Sequence, residues 1–259
     1  MSLRPAQENR RLALTRDGSN LGILLRERYK FLGAYVNSGD RVLEIGAGIG
    51  ITTRYLPAVN LICTDVEANP WIDALADGQA LPFPDASFDA VVCIAALHHM
   101  RHPLLALREM ARVLKPSGKA LIMEVHASLL LRMLLKITGH EYVDRNVDPF
   151  GPNSCQSRQG GNWDGNNAIG DLLFADRKRI AEALPSLKII HHRYTESFLF
   201  VNSGGVNYKT PHIPLPTIVL ELVVALDRWL GKMAPDVFSI CQEIVLEREQ
   251  AGFTPSPRS

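Results

Sequence analysis

The chain has 259 residues, enough to bury a sizeable core, and one domain over 1–259 with inserted caps is its simplest organisation. A formal net charge of +1 supplies no bulk attraction to nucleic acid, and no basic stripe or base-flipping motif accompanies it, so a nucleic-acid partner is not expected. Cys63, Cys93, Cys155 and Cys241 form no C-x-x-C pair and no metal spacing, so they read as small apolar residues in a reducing, cytoplasmic setting.

The first twenty residues are too polar and charged for a secretory signal, and no apolar run reaches the ~20 residues that span a bilayer. "LGILLRERYKFLGAYV" (21–36) repeats apolar residues at helical spacing and predicts a helix within an N-terminal helical cap, 1–40. "RVLEI" (41–45) predicts a strand, followed by a glycine-rich turn and a helix from near Gly50 that must stop before Pro57. "NLICTD" (60–65) and "FDAVVCIAAL" (88–97) predict further strands. After Pro103, "LLALREMARVL" reads as a helix ending before the turn signal "KPSG", and "KALIMEV" (119–125) as another strand. Continuously apolar strands alternating with helices argue an α/β fold with a parallel sheet covered on both faces.

The second half is less regular. "SLLLRMLLK" (128–136) is an apolar helix, more in keeping with a core or dimer face than with a membrane contact. Residues 144–171 hold five asparagines, four aspartates and five glycines, which predicts a long loop or lid outside the core. A helix at 175–184 and a strand at 186–194 follow. "SGGVNYKTPHIPLP" is a Gly/Pro-rich excursion before an apolar helix at 217–230. Alternating Phe238, Ile240, Gln242, Ile244 and Leu246 suggest a last strand within 237–249, and the tail "TPSPRS" reads as disordered. The core at 41–126 is thus followed by two insertions, 127–175 and 195–236, on the substrate side.

"RVLEIGAGIG" carries the chemistry. Gly46 and Gly48 permit a sharp strand-to-helix turn on which a ligand can lie directly against the backbone, and Gly50 allows close packing of the helix. A dinucleotide site uses G-x-G-x-x-G, but Ile51 stands at the third glycine of that pattern. Glu44 just before the turn would repel a pyrophosphate and suit a cationic, amino-acid-bearing ligand.

"VLEIGAGIG" resembles motif I of the class I S-adenosylmethionine-dependent methyltransferases, of the type 11 or UbiE-like group. The likeness runs through residues 41–125. Asp65, ending "LICTD", stands where the family binds the ribose hydroxyls. "ADGQALPFPDASFD" (76–89) resembles the family's run that puts an acid, here Asp77, at the adenine amino group, with Gly78 for the usual Ala. "VVCIAALHHM" resembles the fourth-strand signature, and "LREMARVLKPSGKALIMEV" the helix-turn-strand after it, with Ser117 for a Gly. The resemblance implies a Rossmann-like, doubly wound, mostly parallel seven-stranded sheet with the last strand antiparallel. It implies S-adenosyl-L-methionine as cofactor, held by Glu44, Gly46, Ala47, Gly48 and Asp65, with Val66, Asp77, Gly78 and Ile94 completing the site.

His98 and His99 are followed by Glu124 at the next strand end. This pattern resembles natural-product sugar O-methyltransferases, while "SGGVNYKTP" followed by an apolar helix resembles the C-terminal cap of methyltransferases associated with bacterial polysaccharide and glycolipid biosynthesis. The first resemblance implies a histidine base for a hydroxyl, oriented by Glu124. His98 and His99 sit side by side, so a regular strand end would turn only one toward a pocket, whereas an irregular turn could present both. No metal site is expected, since His191 and His192 point to opposite faces of one strand and no other group has ligand spacing. The expected partner is a small-molecule or glycolipid substrate, with peripheral membrane contact and a homodimer as further expectations. Two alternatives stand beside O-methylation: C-methylation of a lipophilic quinone precursor, and a protein that binds the cofactor without catalysis. The Asn/Asp/Gly-rich stretch around Trp163 offers amides and an aromatic face suited to sugars.

Overall fold

Strands buried on two faces alternate their side chains between two cores, and β4 does so: Val91 and Cys93 face one cluster, Ala90 and Val92 the other. The structure is a computed structural model that describes residues 6–15, 19–138, 141–151, 165–205 and 210–250. Cys155, Trp163 and the C-terminal tail lie outside the described residues. β1 (Arg41–Ile45), β2 (Asn60–Asp65), β3 (Ala74–Leu75), β4 (Phe88–Ile94), β5 (Leu114–Val125), β6 (Leu187–Thr195) and β7 (Cys241–Arg248) form one seven-stranded sheet in the order β3-β2-β1-β4-β5-β7-β6. β1 to β5 pair in parallel, whereas β7 runs antiparallel to both β5 and β6. The doubly wound, mostly parallel sheet with an antiparallel last strand is therefore what this chain adopts.

α1 (Ala6–Thr15) and α2 (Asn20–Gly33) cover one face, where Leu25 and Leu32 pack with Val92, Leu121 and Met123. Ser19 caps α2 by accepting the Gly22 N–H at 3.2 Å. α4 (Pro103–Val113), α6 (Ile169–Phe174) and α7 (Arg177–Ala183) cover the other face, with Leu107, Met110, Phe174 and Ile180 in its core. α5 (Leu129–Thr138) follows β5, while α8 (Phe198–Val201), α9 (Thr217–Met233) and α10 (Pro235–Phe238) lie between β6 and β7. Three of the cysteines, Cys63, Cys93 and Cys241, are free and buried, as small apolar residues would be.

Several boundaries differ from the expected ones, each for a local reason. The helix after the glycine turn, α3 (Thr52–Tyr55), begins only after Gly50, whose φ of 59° is incompatible with a helix. "KPSG" is drawn into β5 with an irregular register against Phe88, and Ser117 adopts φ 64°, the left-handed conformation that glycine supplies more easily. β4 stops at Ile94, and Leu97–His99 winds into a 3-10 turn. β7 begins at Cys241, because Pro235 starts a short helix that takes Phe238 out of the strand. The largest correction concerns 144–171. Its described end is a core element, since Asn166, Ala168 and Ile169 are buried and α6 carries Leu173 and Phe174 into the main cluster.

Candidate functional site

The strand order reverses between β1 and β4, which puts a crevice at their carboxyl ends. The turn after β1 lies there. Gly46 and Gly48 have φ of 68° and 52°, and a Cβ on Gly46 would fall 2.8 Å from the Ala96 Cβ across the crevice. The Ala47 N–H donates to the Thr64 carbonyl at 2.9 Å, and the Gly48 N–H to the Asp65 carboxylate at 2.8 Å. The other Asp65 oxygen accepts the Glu67 N–H at 3.0 Å. Asp65 caps no helix. It ties the turn to the end of β2, and its carboxylate keeps lone pairs for two hydroxyls.

Val66, next in the chain, is exposed, and Ile94 is half-buried at the end of β4. Asp77 is exposed with its carboxylate held by the Gln79 N–H at 2.9 Å. A Cβ on Gly78 would lie 2.7 Å from Ile45 Cγ2 and 2.9 Å from Met100 Cε, so this position has no room for the family's Ala. Backbone free of side chains, a carboxylate at the β2 end and a second acid past β3 suit the methionyl, ribose and adenine parts of S-adenosylmethionine.

Glu44 sits differently from expectation. It is buried beneath the turn, accepting from the Thr52 hydroxyl at 2.5 Å and facing Cys63 Sγ at 3.5 Å. Burial pushes its pKa up to about 7 against the lowering by these hydrogen bonds. Near neutrality it therefore carries only part of a full negative charge, which weakens its repulsion of a pyrophosphate.

Two residues that sequence reasoning missed cover the turn. The Trp71 indole N–H donates to the Gly48 carbonyl at 2.8 Å, and its ring occupies the space a Cβ on Gly50 would need. Arg10 of α1 lies 4.9 Å over that ring and donates to the Ile49 carbonyl at 2.8 Å and to the Gly50 carbonyl. Only eight residues, 66–73, separate β2 from β3, with no helix among them. A lone tryptophan beside a proline gave no signal for this role.

The second half of the site lies at the ends of β4 and β5. The 3-10 turn presents both histidines to one region, their rings 4.1 Å apart. His98 Nδ1 is hydrogen-bonded to Glu124 Oε1, which also accepts the Val125 N–H at 2.8 Å; His98 and Glu124 are both buried. A carboxylate there assigns the proton to Nδ1 and leaves Nε2 as the acceptor. Burial lowers the His98 pKa, but the Glu124 charge and hydrogen bond, with Glu141 nearby, raise it above the ordinary 6.5 overall. His99 Nε2 lies 3.8 Å from Glu141 Oε1, and Asn167 Nδ2 donates to Glu141 Oε2 at 2.8 Å. Gly165 passes so close that a Cβ there would meet His98 Cδ2 at 2.5 Å and His99 Nδ1 at 2.9 Å. Nothing in the 144–171 composition singled out the glycine and two asparagines that close over the histidines.

His98, His99 and Glu141 each bring a potential ligand atom within 4.8 Å of the others, which makes them the group among the described residues able to hold a metal ion. A second His–acid pair lies further along the same edge. His126 Nδ1 is 2.6 Å from Asp171 Oδ1, with Arg145 2.9 Å from the other oxygen. His191 packs toward Phe31 of α2, and His192 toward Arg177 of α7 and Gln242, so they do occupy opposite sides of β6.

Residues 43–122 match the family described as a methyltransferase domain. The ubiquinone/menaquinone biosynthesis C-methyltransferase UbiE of Chromobacterium violaceum is 37% identical over 108 residues, covering 34% of this chain and 44% of that protein. The uncharacterized methyltransferase YcgJ of Bacillus subtilis is 31% identical over 128 residues, covering 43% and 48% respectively. The chain thus spans under half the length of these curated relatives. A solved SAM-dependent methyltransferase from Archaeoglobus fulgidus shares the fold, with a TM-score of 0.52, 14% identity and coverage of 87% of this chain and 94% of that one. Sheet order, glycine turn and family match together make residues 43–122 of this chain similar to a methyltransferase domain.

Proposed function

We propose that this chain methylates a hydroxyl of a small-molecule or sugar acceptor, including a glycolipid, with S-adenosylmethionine as donor. The observation that supports it most is the buried His98–Glu124 pair at neighbouring strand ends beside the crevice. Bound on the turn, the cofactor supplies an electrophilic methyl group on a sulfonium. An attacking hydroxyl must lose its proton, and His98 Nε2 is the acceptor this chain offers. Glu124 holds the ring's tautomer and stabilises the imidazolium that forms. Asp65 and the glycine backbone fix the donor, and Gly165 with Asn167 restricts water around the histidines.

C-methylation of a quinone precursor is the second reading, favoured by the names of relatives such as UbiE and the demethylmenaquinone methyltransferase of Tropheryma whipplei. The matched family domain ends at residue 122, before Glu124, Glu141 and the 165–167 segment. The O-methylation reading is preferred because the buried His98–Glu124 pair suits deprotonation of a hydroxyl.

Radiolabelled S-adenosylmethionine offered with hydroxylated glycosides and with demethylated quinols separates the two. Label in an ether is expected, with a pH limb above 6.5 as His98 loses its proton. His98→Ala should remove that limb and lower turnover by roughly 10²–10⁴, while leaving S-adenosylhomocysteine affinity nearly unchanged. Label in the quinol ring would establish the second reading, and cofactor binding without transfer to either would leave a non-catalytic protein.

A further inference from the structure

α5, expected as a core or dimer face, and α9 each turn an apolar side to solvent. On α9, Ile218, Leu222, Leu226, Trp229 and Met233 are all exposed. At about 100° per residue they fall in one sector of about 80°. The opposite side of α9 is the packed one, where Leu220, Leu230 and Gly231 are buried and Asp227 accepts the N–H groups of Ser197, Phe198 and Leu199. On α5, Leu129, Met133 and Ile137 repeat every fourth position and are exposed, Ile137 to 78%, while Leu131 is buried. α10 packs against both helices and adds exposed Val237. Single exposed apolar residues are ordinary, but a surface of this extent across three adjoining helices is a binding face.

Charge decides what covers it. Arg132 and Lys136 border the α5 sector on its same side, and α5 carries no acid. Lys232 borders the α9 sector beside Met233. Among the acids of these helices, Asp227 is buried, whereas Asp236 of α10 is exposed, 3.5 Å from His126 Nε2. Glu221 and Asp236 are the exposed acids of these three helices, against the three basic residues Arg132, Lys136 and Lys232 that border the apolar face. Amphipathic helices with such a border, and a tryptophan within the apolar face, suit an anionic lipid surface. Among the described residues no helix is long and apolar enough to cross a membrane, so the contact is peripheral.

Position ties this face to the candidate site. α5 starts four residues after Val125, the end of the strand that carries Glu124. α10 leads into β7, whose first residue, Cys241, pairs with Val125. The apolar face and the His98–Glu124 pair therefore share one edge of the sheet.

We propose that α5, α9 and α10 dock this protein peripherally on an anionic lipid bilayer. The acceptor side of the site then opens at the membrane surface, where the acceptor of the methyl-transfer reading is a lipid-anchored hydroxyl compound. The docking itself is tested without any acceptor, so its failure is separate from failure of that reading.

The test is co-sedimentation of the full chain with vesicles of phosphatidylcholine alone and of phosphatidylcholine with phosphatidylglycerol, alongside light scattering of the free protein. Binding to the anionic vesicles is expected to be tighter by on the order of tenfold to a hundredfold at low salt and to weaken as salt rises. Met133→Gln with Ile137→Gln should reduce binding to both vesicles. Arg132→Gln with Lys136→Gln should remove most of the anionic preference. Met133 and Ile137 are exposed apolar residues and Arg132 and Lys136 exposed basic ones, and S-adenosylhomocysteine binding reports that each variant is folded. No pelleting of the parent chain with either vesicle would overturn the proposal. So would a dimer in solution that Ile137→Gln dissociates, because the face would then be covered by a second copy.

Discussion

Asp65 engages two backbone N–H groups before any ligand arrives, so it both shapes the glycine turn and presents an acceptor. Asp65→Ala should weaken S-adenosylhomocysteine binding by about 1–3 kcal/mol, read by calorimetry. A folded variant with parental affinity would remove Asp65 from the site. At the other end of the crevice, His98, His99 and Glu141 have the composition of a cation site as well as of an acid–base site. Methyl transfer from a sulfonium needs no Lewis acid, and Glu124 already orients His98. Turnover should therefore survive EDTA. Loss on chelation, restored by a divalent cation in the parent chain but not in Glu141→Gln, would assign a metal to these three residues instead.

α6 gives the clearest prediction among the elements. Phe174 is fully buried in the main core, so Phe174→Ala should cost about 3–5 kcal/mol in denaturant unfolding. A lid outside the core would lose far less. The same element marks the limit of what was legible in the sequence. β1, β2, β4 and the end of β5 could be read because they are long apolar runs, and the turn because glycines at alternate positions have few other uses. The 165–174 segment could not, since its amides look like solvated loop. In the structure they are buried because Asn166 pairs with Asp144 on both its side-chain groups and Asn167 with Glu141. The two histidines were legible as residues, but their shared orientation depends on the 3-10 turn after Ala95, where φ is 48°. Trp71 and Arg10 came from tertiary packing alone, with no periodicity to reveal it.

For the molecule as a whole, two buried carboxyls set a pH dependence. Burial pushes Glu44 and Glu243 up to about 7 from an ordinary 4.5. Each binds its proton more tightly folded than unfolded, so its stabilisation is full below 4.5 and is lost as pH rises through about 7. Glu44→Gln should flatten this fall, measured as unfolding midpoints at about pH 5 and about pH 8. An unchanged slope would mean that Glu44 is ionised in the folded state. The cover over the glycine turn bears on how the chain acquires its shape during synthesis. α1 leaves the ribosome before Ile49, Gly50 and Trp71, the groups that Arg10 touches. It can dock only after β1, the turn and the 66–73 loop exist, and docking closes a long loop. A nascent chain therefore exposes a bare turn, and the guanidinium and indole close over it as one of the late steps of folding.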